Sequence, residues 1–146
     1  MKKMRIWLPA FLWMGFIFLM SAQTGDDSSA QSGFIVDLLL SLRRMLLGDA
    51  PMDAQLFSAL ELLIRKAAHM SEYAVLSLLY LRALRLEGTP HPYAKALLLC
   101  GLYAASDEFH QAFVPDRGPS PVDVMIDTAG GAIGLTLDRL YLHLRS

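Results

Sequence analysis

Apolar segments alternate with short polar segments along the chain, and their lengths predict a set of helices. The first apolar run, 6–22, follows the basic start MKKMR. Three further apolar segments, 67–86, 93–109 and 122–142, are each close to the roughly 17–25 residues that a membrane-spanning helix needs. The pattern predicts an all-α protein, a single domain over residues 1–146, in which four helices cross a membrane as a bundle.

The segments between the first two apolar runs have a different pattern. SAQTGDDSSAQSG (21–33) is small and polar, and we expect a loop there. In FIVDLLLSLRRMLL (34–47) apolar positions recur at helical spacing, which predicts an amphipathic helix on the extracytoplasmic side, at the membrane interface. GDAP (48–51) should end this helix, and a second amphipathic helix, 53–66, should continue into the next span.

The first apolar run has an alternative interpretation as a signal peptide, which also combines a basic start with an apolar segment. Trp7 and Trp13 favour a retained helix, because tryptophan is enriched at membrane interfaces. Met20 is also a poor residue for the small-residue motif that precedes signal cleavage. We therefore expect the run to remain as a membrane helix.

Lysine and arginine positions predict the orientation of the helices. Cytoplasmic loops carry an excess of these residues, whereas acidic residues dilute the basic ones on the other side of this chain. With four spans, one side of the membrane receives Lys2, Lys3, Arg5, Arg82, Arg85, Lys95, Arg139 and Arg145. The distribution predicts a multi-pass protein of the cell membrane with both termini in the cytoplasm.

Composition supports a membrane location and excludes some partners. The chain is 54% hydrophobic and 18% charged, whereas soluble domains are about 25% charged. A net charge of −1 argues against a nucleic-acid partner, which would require a basic surface. The single cysteine, Cys100, excludes an internal disulfide and lies in an apolar run, where we expect it to serve in packing.

Ionisable and polar residues gather at the predicted outer ends of the spans. Within a span many of them are three or four residues apart, which places them on one helix face. Because ionisable groups at membrane depth are costly, they should turn into one shared pocket. The group comprises Gln23 after the first span, Arg65, Lys66, His69, Glu72 and Tyr73 on the second, Asp107, Glu108, His110 and Gln111 on the third, Arg117 in the following loop, and Asp123 and Asp127 on the fourth.

The side-chain chemistry of this group suggests roles. The candidates for general acid or base are His69, Glu72, Asp107 and His110. Arg65, Lys66 and Arg117 could hold a phosphate or a carboxylate. The remaining candidate binding residues are Gln23, Tyr73, Glu108, Gln111, Asp123 and Asp127. The motif PSP (119–121) predicts the start of the last helix, so Asp123 could instead cap that helix. The whole group of polar residues could also be a purely structural network.

A metal site is a further interpretation of the same residues. Two pairs of His and acid at i, i+3 spacing, His69 with Glu72 and Asp107 with His110, resemble ligand sets in helical bundles. The basic residues of the group oppose a cation, however, and ion pairing explains the same pattern. We therefore expect no metal and no cofactor.

Glycines in the last apolar segment predict close helix packing. Gly130 and Gly134 form a G-x-x-x-G motif, whose small residues allow two helices to approach closely. We expect this contact within the bundle and not between two copies. Asp127, one turn before Gly130, should face the same interior.

RKAAHMSEY (65–73) and SDEFHQAFVPDRGPSPVDVMIDTAGGAIG (106–134), with SAQTG after the first run, resemble the VanZ family of bacterial membrane proteins. The resemblance covers about residues 16–134, and Met70 and Asp116 are its departures, where an aromatic residue and a glycine are common. By position, it implies that the characteristic residues are Arg65, Lys66, His69, Glu72, Tyr73, Asp107, Glu108, His110, Gln111, Arg117, Asp123 and Asp127.

The name of the family refers to reduced susceptibility to the glycopeptide antibiotic teicoplanin. The resemblance therefore implies a role in the cell envelope, without a particular reaction. The residues fit two functions about equally well. The protein could be an enzyme that acts on a lipid-linked or amphiphilic envelope molecule, or it could bind or sequester such a molecule. Membrane lipid is the expected partner, with a lipid-linked envelope precursor or an amphiphilic anion as candidate ligands.

Overall fold

The computed structural model describes residues 2–47, 53–115 and 117–145. These residues form the helices α1 (Lys2–Ser21), α2 (Gly25–Leu47), α3 (Ala54–Leu86), α4 (Pro92–Gln111) and α5 (Pro121–Arg145). No strand occurs in the described part of the chain, which confirms the all-α prediction there. The helix break predicted at 48–51 and the departure at Asp116 lie outside the described residues.

The beginning of α2 corrects the loop predicted at 21–33. The helix starts at Gly25, so only residues 22–24 separate it from α1. Small, polar and acidic residues are as typical of the first turns of a helix as of a loop, which is why composition misled the prediction. Because the connection is short, α2 begins directly beside the end of α1.

The long helix α3 organises the fold. Its 33 residues extend over about 50 Å, and it packs against each of the other four helices. Asp53 caps its start, since the side chain accepts a hydrogen bond of 3.3 Å from the Gln55 backbone N–H. The amphipathic segment and the second predicted span are thus one continuous helix, as expected from the sequence.

Helices α3 and α5 approach each other through the predicted glycine face. A Cβ atom added at Gly130 would collide with the Met70 backbone, and one at Gly134 would lie 2.7 Å from the Ala74 carbonyl oxygen. The buried Ser77 hydroxyl donates a hydrogen bond of 2.9 Å to the Gly131 carbonyl across the same interface. The G-x-x-x-G motif therefore packs within the bundle, as predicted.

Large apolar side chains point outward on several helices. Leu12 of α1, Leu102 of α4 and Leu137 of α5 are 67%, 60% and 60% exposed. Among the described helices, only α1, over Lys3–Ser21, is both long and apolar enough to cross a membrane by length and composition. Helices α3, α4 and α5 each carry several charged residues, which lower their mean hydropathy. The arrangement of four spans is therefore not established and stays a prediction.

Candidate functional site

Contacts at the two ends of the bundle define the directions of its helices. At one end, Trp7 near the start of α1 donates to the Glu87 carboxylate after α3 (3.0 Å). At the other end, Ser21 at the end of α1 donates to Asp107 near the end of α4 (2.7 Å). Helices α1 and α4 therefore run antiparallel to α3 and α5, and the polar group predicted from the sequence collects mainly at the second end.

Two neighbouring cavities lie at this end. The larger, of about 160 Å³, is bounded by α3, α4, α5 and the loop before α5. Its lining residues are Leu62, Arg65, Lys66, His69, Glu108, Gln111, Arg117, Gly118, Asp123, Ile126 and Asp127. Eight of the predicted site residues are thus brought to one cavity.

The smaller cavity, of about 90 Å³, lies between the end of α1, α2 and α3. Its lining residues are Met20, Gln23, Ser32, Ile35, Ile64, Arg65, Ala68, His69, Glu72 and Arg117. Arg65, His69 and Arg117 line both cavities. We refer to these three residues as the shared wall.

Ion pairs and hydrogen bonds occupy two carboxylates of the larger cavity. Lys66 pairs with Asp123, so Asp123 connects α5 to α3, whereas the sequence also allowed it a simple capping role. Glu108 accepts a hydrogen bond of 2.8 Å from the Ser120 backbone N–H, which fixes the loop before α5 to α4. These contacts shape the cavity and leave the carboxylate of Asp127 on its wall.

Asp107 joins α4 to α1. Its carboxylate is 2% exposed and accepts hydrogen bonds from the Ser21 hydroxyl (2.7 Å) and from the Gln111 amide (3.3 Å). It lines neither cavity, although its charge interacts with Glu72, Asp127 and Arg117. Such contacts suit a positioning role better than proton transfer to a ligand.

His110 and Tyr73 also line neither cavity. The His110 ring packs against Phe18 of α1, with ring centroids 4.2 Å apart. Tyr73 is buried in the helix core, and its ring centroid is 6.1 Å from that of Tyr103. Helical spacing placed His110 on the face of Asp107 correctly, but that face points toward α1.

His69 and Glu72 form the acid–base pair closest to both cavities. The His69 Nδ1 and a Glu72 carboxylate oxygen are 3.9 Å apart, one turn along α3. The Glu72 backbone carbonyl accepts a hydrogen bond of 2.9 Å from the Trp13 indole, which holds α1 against this turn. Lys66, which lies on the same helix as Glu72, pairs instead with Asp123 of α5.

Arg117 is a partly buried cation outside the predicted spans. The ion pairs between described residues do not include it, and its buried Nε has no hydrogen-bond partner among them. Burial and, after it, the positive charge of Arg65 lower the pKa of Arg117 below its usual value. The carboxylates of Asp107, Glu108 and Glu72 act in the opposite direction on this pKa. An anion bound between Arg65 and Arg117 would offset the repulsion between the two guanidinium groups.

Ser21, Ser32 and the Ser120 N–H were not among the predicted site residues. Ser21 and Ser32 are buried, and both belong to the segment predicted as a loop. A serine carries no charge, so its sequence position alone gave no signal. Only the contact between α1 and α4 identifies Ser21 as a hydrogen-bond donor to Asp107.

The described residues hold no group of three or more His, Cys, Asp or Glu side chains placed to bind one metal ion. The two His–acid pairs of the proposed metal pattern point to different places, since His69 faces the cavities and His110 faces Phe18. The arrangement is better suited to an anion, which Arg65, Lys66 and Arg117 could approach from three positions.

Fold and site together define an all-helical protein with an apolar α1 and a charged cluster at one end of the bundle. A family model, VanZ/LLP1, matches residues 6–142. The chain belongs to this family, which confirms the resemblance seen in its motifs and makes it a membrane-associated, VanZ-type envelope protein. No curated protein and no solved structure matches the chain.

Proposed function

We propose that the chain is a multi-pass membrane protein whose polar site binds the anionic head group of an envelope lipid or of another envelope amphiphile. The site lies at the outer face of the membrane, with both termini in the cytoplasm. Arg65 and Arg117 hold the anionic group, and Lys66 and the carboxylates of the larger cavity surround it.

One observation carries this proposal: Arg117 presents a partly buried guanidinium to both cavities and belongs to no ion pair among the described residues. A buried cation is costly unless an opposite charge compensates it. A phosphate or carboxylate is a matching ligand, because a guanidinium donates two parallel hydrogen bonds to either group.

The outward-facing apolar side chains support a position inside the membrane. Apolar surface as extensive as that of α1, α4 and α5 is typical of contact with lipid or with another protein. Charged residues of α3, α4 and α5 would then face inward, where they compensate one another. This arrangement supports four spans, with the entrance of the site at the level of lipid head groups.

A catalytic function is the second candidate, favoured by the His69–Glu72 pair. Both residues line the smaller cavity, and His69 also reaches the larger one. A base next to a bound phosphate or ester could activate water or a hydroxyl group. Binding and catalysis thus share one site, and they differ in whether the bound molecule leaves unchanged.

Lipid retention tests the proposal. The purified protein is delipidated in detergent, incubated with phosphatidylglycerol and analysed by native mass spectrometry. Arg117→Gln should reduce the retained lipid, whereas Arg82→Gln, an exposed arginine that lines neither cavity, should not. Equal retention by the two variants would refute an anion site at Arg117. Catalysis is tested by recovering the lipid and comparing its mass before and after incubation.

A further inference from the structure

The two cavities differ in chemical character on either side of the shared wall. Besides the wall, the larger cavity has one lysine and three carboxylates, from Glu108, Asp123 and Asp127. The smaller cavity has one carboxylate, and much of its remaining lining is apolar. A ligand that extends through both would therefore need a polar end, an anionic middle and an apolar end.

Apolar side chains of the smaller cavity come from three separate elements. Met20 belongs to α1, Ile35 to α2 and Ala68 to α3. In the described part of the chain, α2 packs against no helix other than α3. With α1 as a span, this cavity lies where the end of a membrane helix meets an amphipathic helix at the interface. It is therefore placed for an acyl chain that leaves toward the bilayer.

The larger cavity suits a small head group. Its volume of about 160 Å³ lies below the roughly 300–1,000 Å³ of cavities that hold drug-sized ligands. Glycerol or ethanolamine has only a few non-hydrogen atoms, whereas a disaccharide is several times larger. Hydroxyl or amine donors on such a group could reach the carboxylate of Asp127, which is 2% exposed and faces this cavity.

From these observations we infer that the adjoining cavities are one site for a glycerophospholipid with a small, donor-bearing head group. The phosphate lies at Arg65 and Arg117, the head group lies in the larger cavity, and the start of an acyl chain passes through the smaller cavity beneath α2. This inference rests on the proposed anion site and adds the class of lipid and the path of its chain.

Filling the smaller cavity with a larger side chain tests the proposed path of the acyl chain. Ala68→Phe places a ring in this cavity from α3, and Ile35→Trp does so from α2, so that one variant remains if the other fails to fold. Ala67→Phe is the matched control, because Ala67 is exposed like Ala68 but lines neither cavity. Affinity for phosphatidylglycerol in detergent micelles should fall about tenfold or more in the two filling variants and stay unchanged in the control.

Two further probes distinguish the lipid from its parts. Phosphatidylcholine, which has the phosphate but no head-group donor, should bind wild type more weakly than phosphatidylglycerol. Inorganic phosphate at equal concentration should stabilise the protein less than the lipid does. Equal binding of the two lipids would overturn the head-group assignment, and equal stabilisation by phosphate would overturn the lipid assignment.

The outcome also separates this inference from the proposed function. If phosphatidylglycerol binding depends on Arg117 but both filling variants bind like Ala67→Phe, the anion site stands and the chain path is wrong. If wild type binds no phosphatidylglycerol, both are refuted.

Discussion

Gly130→Ala perturbs the closest helix contact in the bundle. A Cβ at this position would lie 2.7 Å from the Met70 Cα and 2.9 Å from its carbonyl carbon. Backbone atoms cannot rotate away, so α5 would have to move from α3. Overpacking costs roughly 1–3 kcal/mol, and a collision with backbone should fall near the upper limit. Alanine recovers up to about 1 kcal/mol through its helix propensity, so we expect unfolding to become easier by about 1–2 kcal/mol.

The single cysteine supplies the assay. Cys100 is 0% exposed, so a thiol-reactive fluorescent dye should label it only when the bundle opens. On heating, Gly130→Ala should be labelled at a lower temperature than wild type. Gly15→Ala is the matched control, because a Cβ there meets nothing within 4 Å, and it should be labelled at the same or a higher temperature. Equal labelling temperatures for the two variants would refute the close approach of α3 and α5.

Three more predictions concern the site and the topology. Ser21→Ala removes the 2.7 Å hydrogen bond to buried Asp107 and should lower the free energy of unfolding by roughly 1–3 kcal/mol. The variant should therefore be labelled at a lower temperature in the same dye assay, and an unchanged temperature would contradict the role of Asp107 at α1. Glu72→Gln should leave a folded, inserted protein. In a host in which the wild-type chain reduces teicoplanin susceptibility, this variant should no longer reduce it. A loss of function that only follows a loss of folded protein would instead indicate a structural role. Topology reporters in the 112–120 loop should be external and those in the 87–91 loop internal, and the opposite result would refute the orientation.

The parts of the fold that the sequence predicted well depend on local features of the chain. The lengths of the apolar segments indicated α3, α4 and α5, and the small residues Gly130 and Gly134 indicated the α3–α5 contact. An antiparallel order of the helices then places the outer ends together, which is why many of the polar residues were expected at one end. These conclusions need only helix geometry and the cost of exposing charge to lipid.

The features that the sequence could not predict are choices between partners that helix spacing leaves open. Spacing placed His110 with Asp107 but could not show that α1, through Phe18, would meet this face. Lys66 had acidic neighbours on its own helix, yet it pairs with Asp123 of α5. The division of the site into two cavities could not be predicted from the sequence either, because it depends on where α2 lies against α3. Each of these features is a tertiary contact between helices far apart in the chain.

The same buried charges explain both the site and the weak membrane signal of the later helices. Asp107, Glu108 and Asp127 lower the hydropathy of α4 and α5, although all three are buried while leucines on those helices face outward. A measure based on composition counts these charges as if they faced lipid. Inside the bundle, Asp107 has Ser21 and Gln111 as partners, and Glu108 has the Ser120 N–H. Since hydrogen-bonded groups of this kind are much less costly to bury, a chain with an apolar exterior can carry a polar interior. Arg117 lacks such an internal partner among the described residues, which is why an anionic ligand is expected at that position.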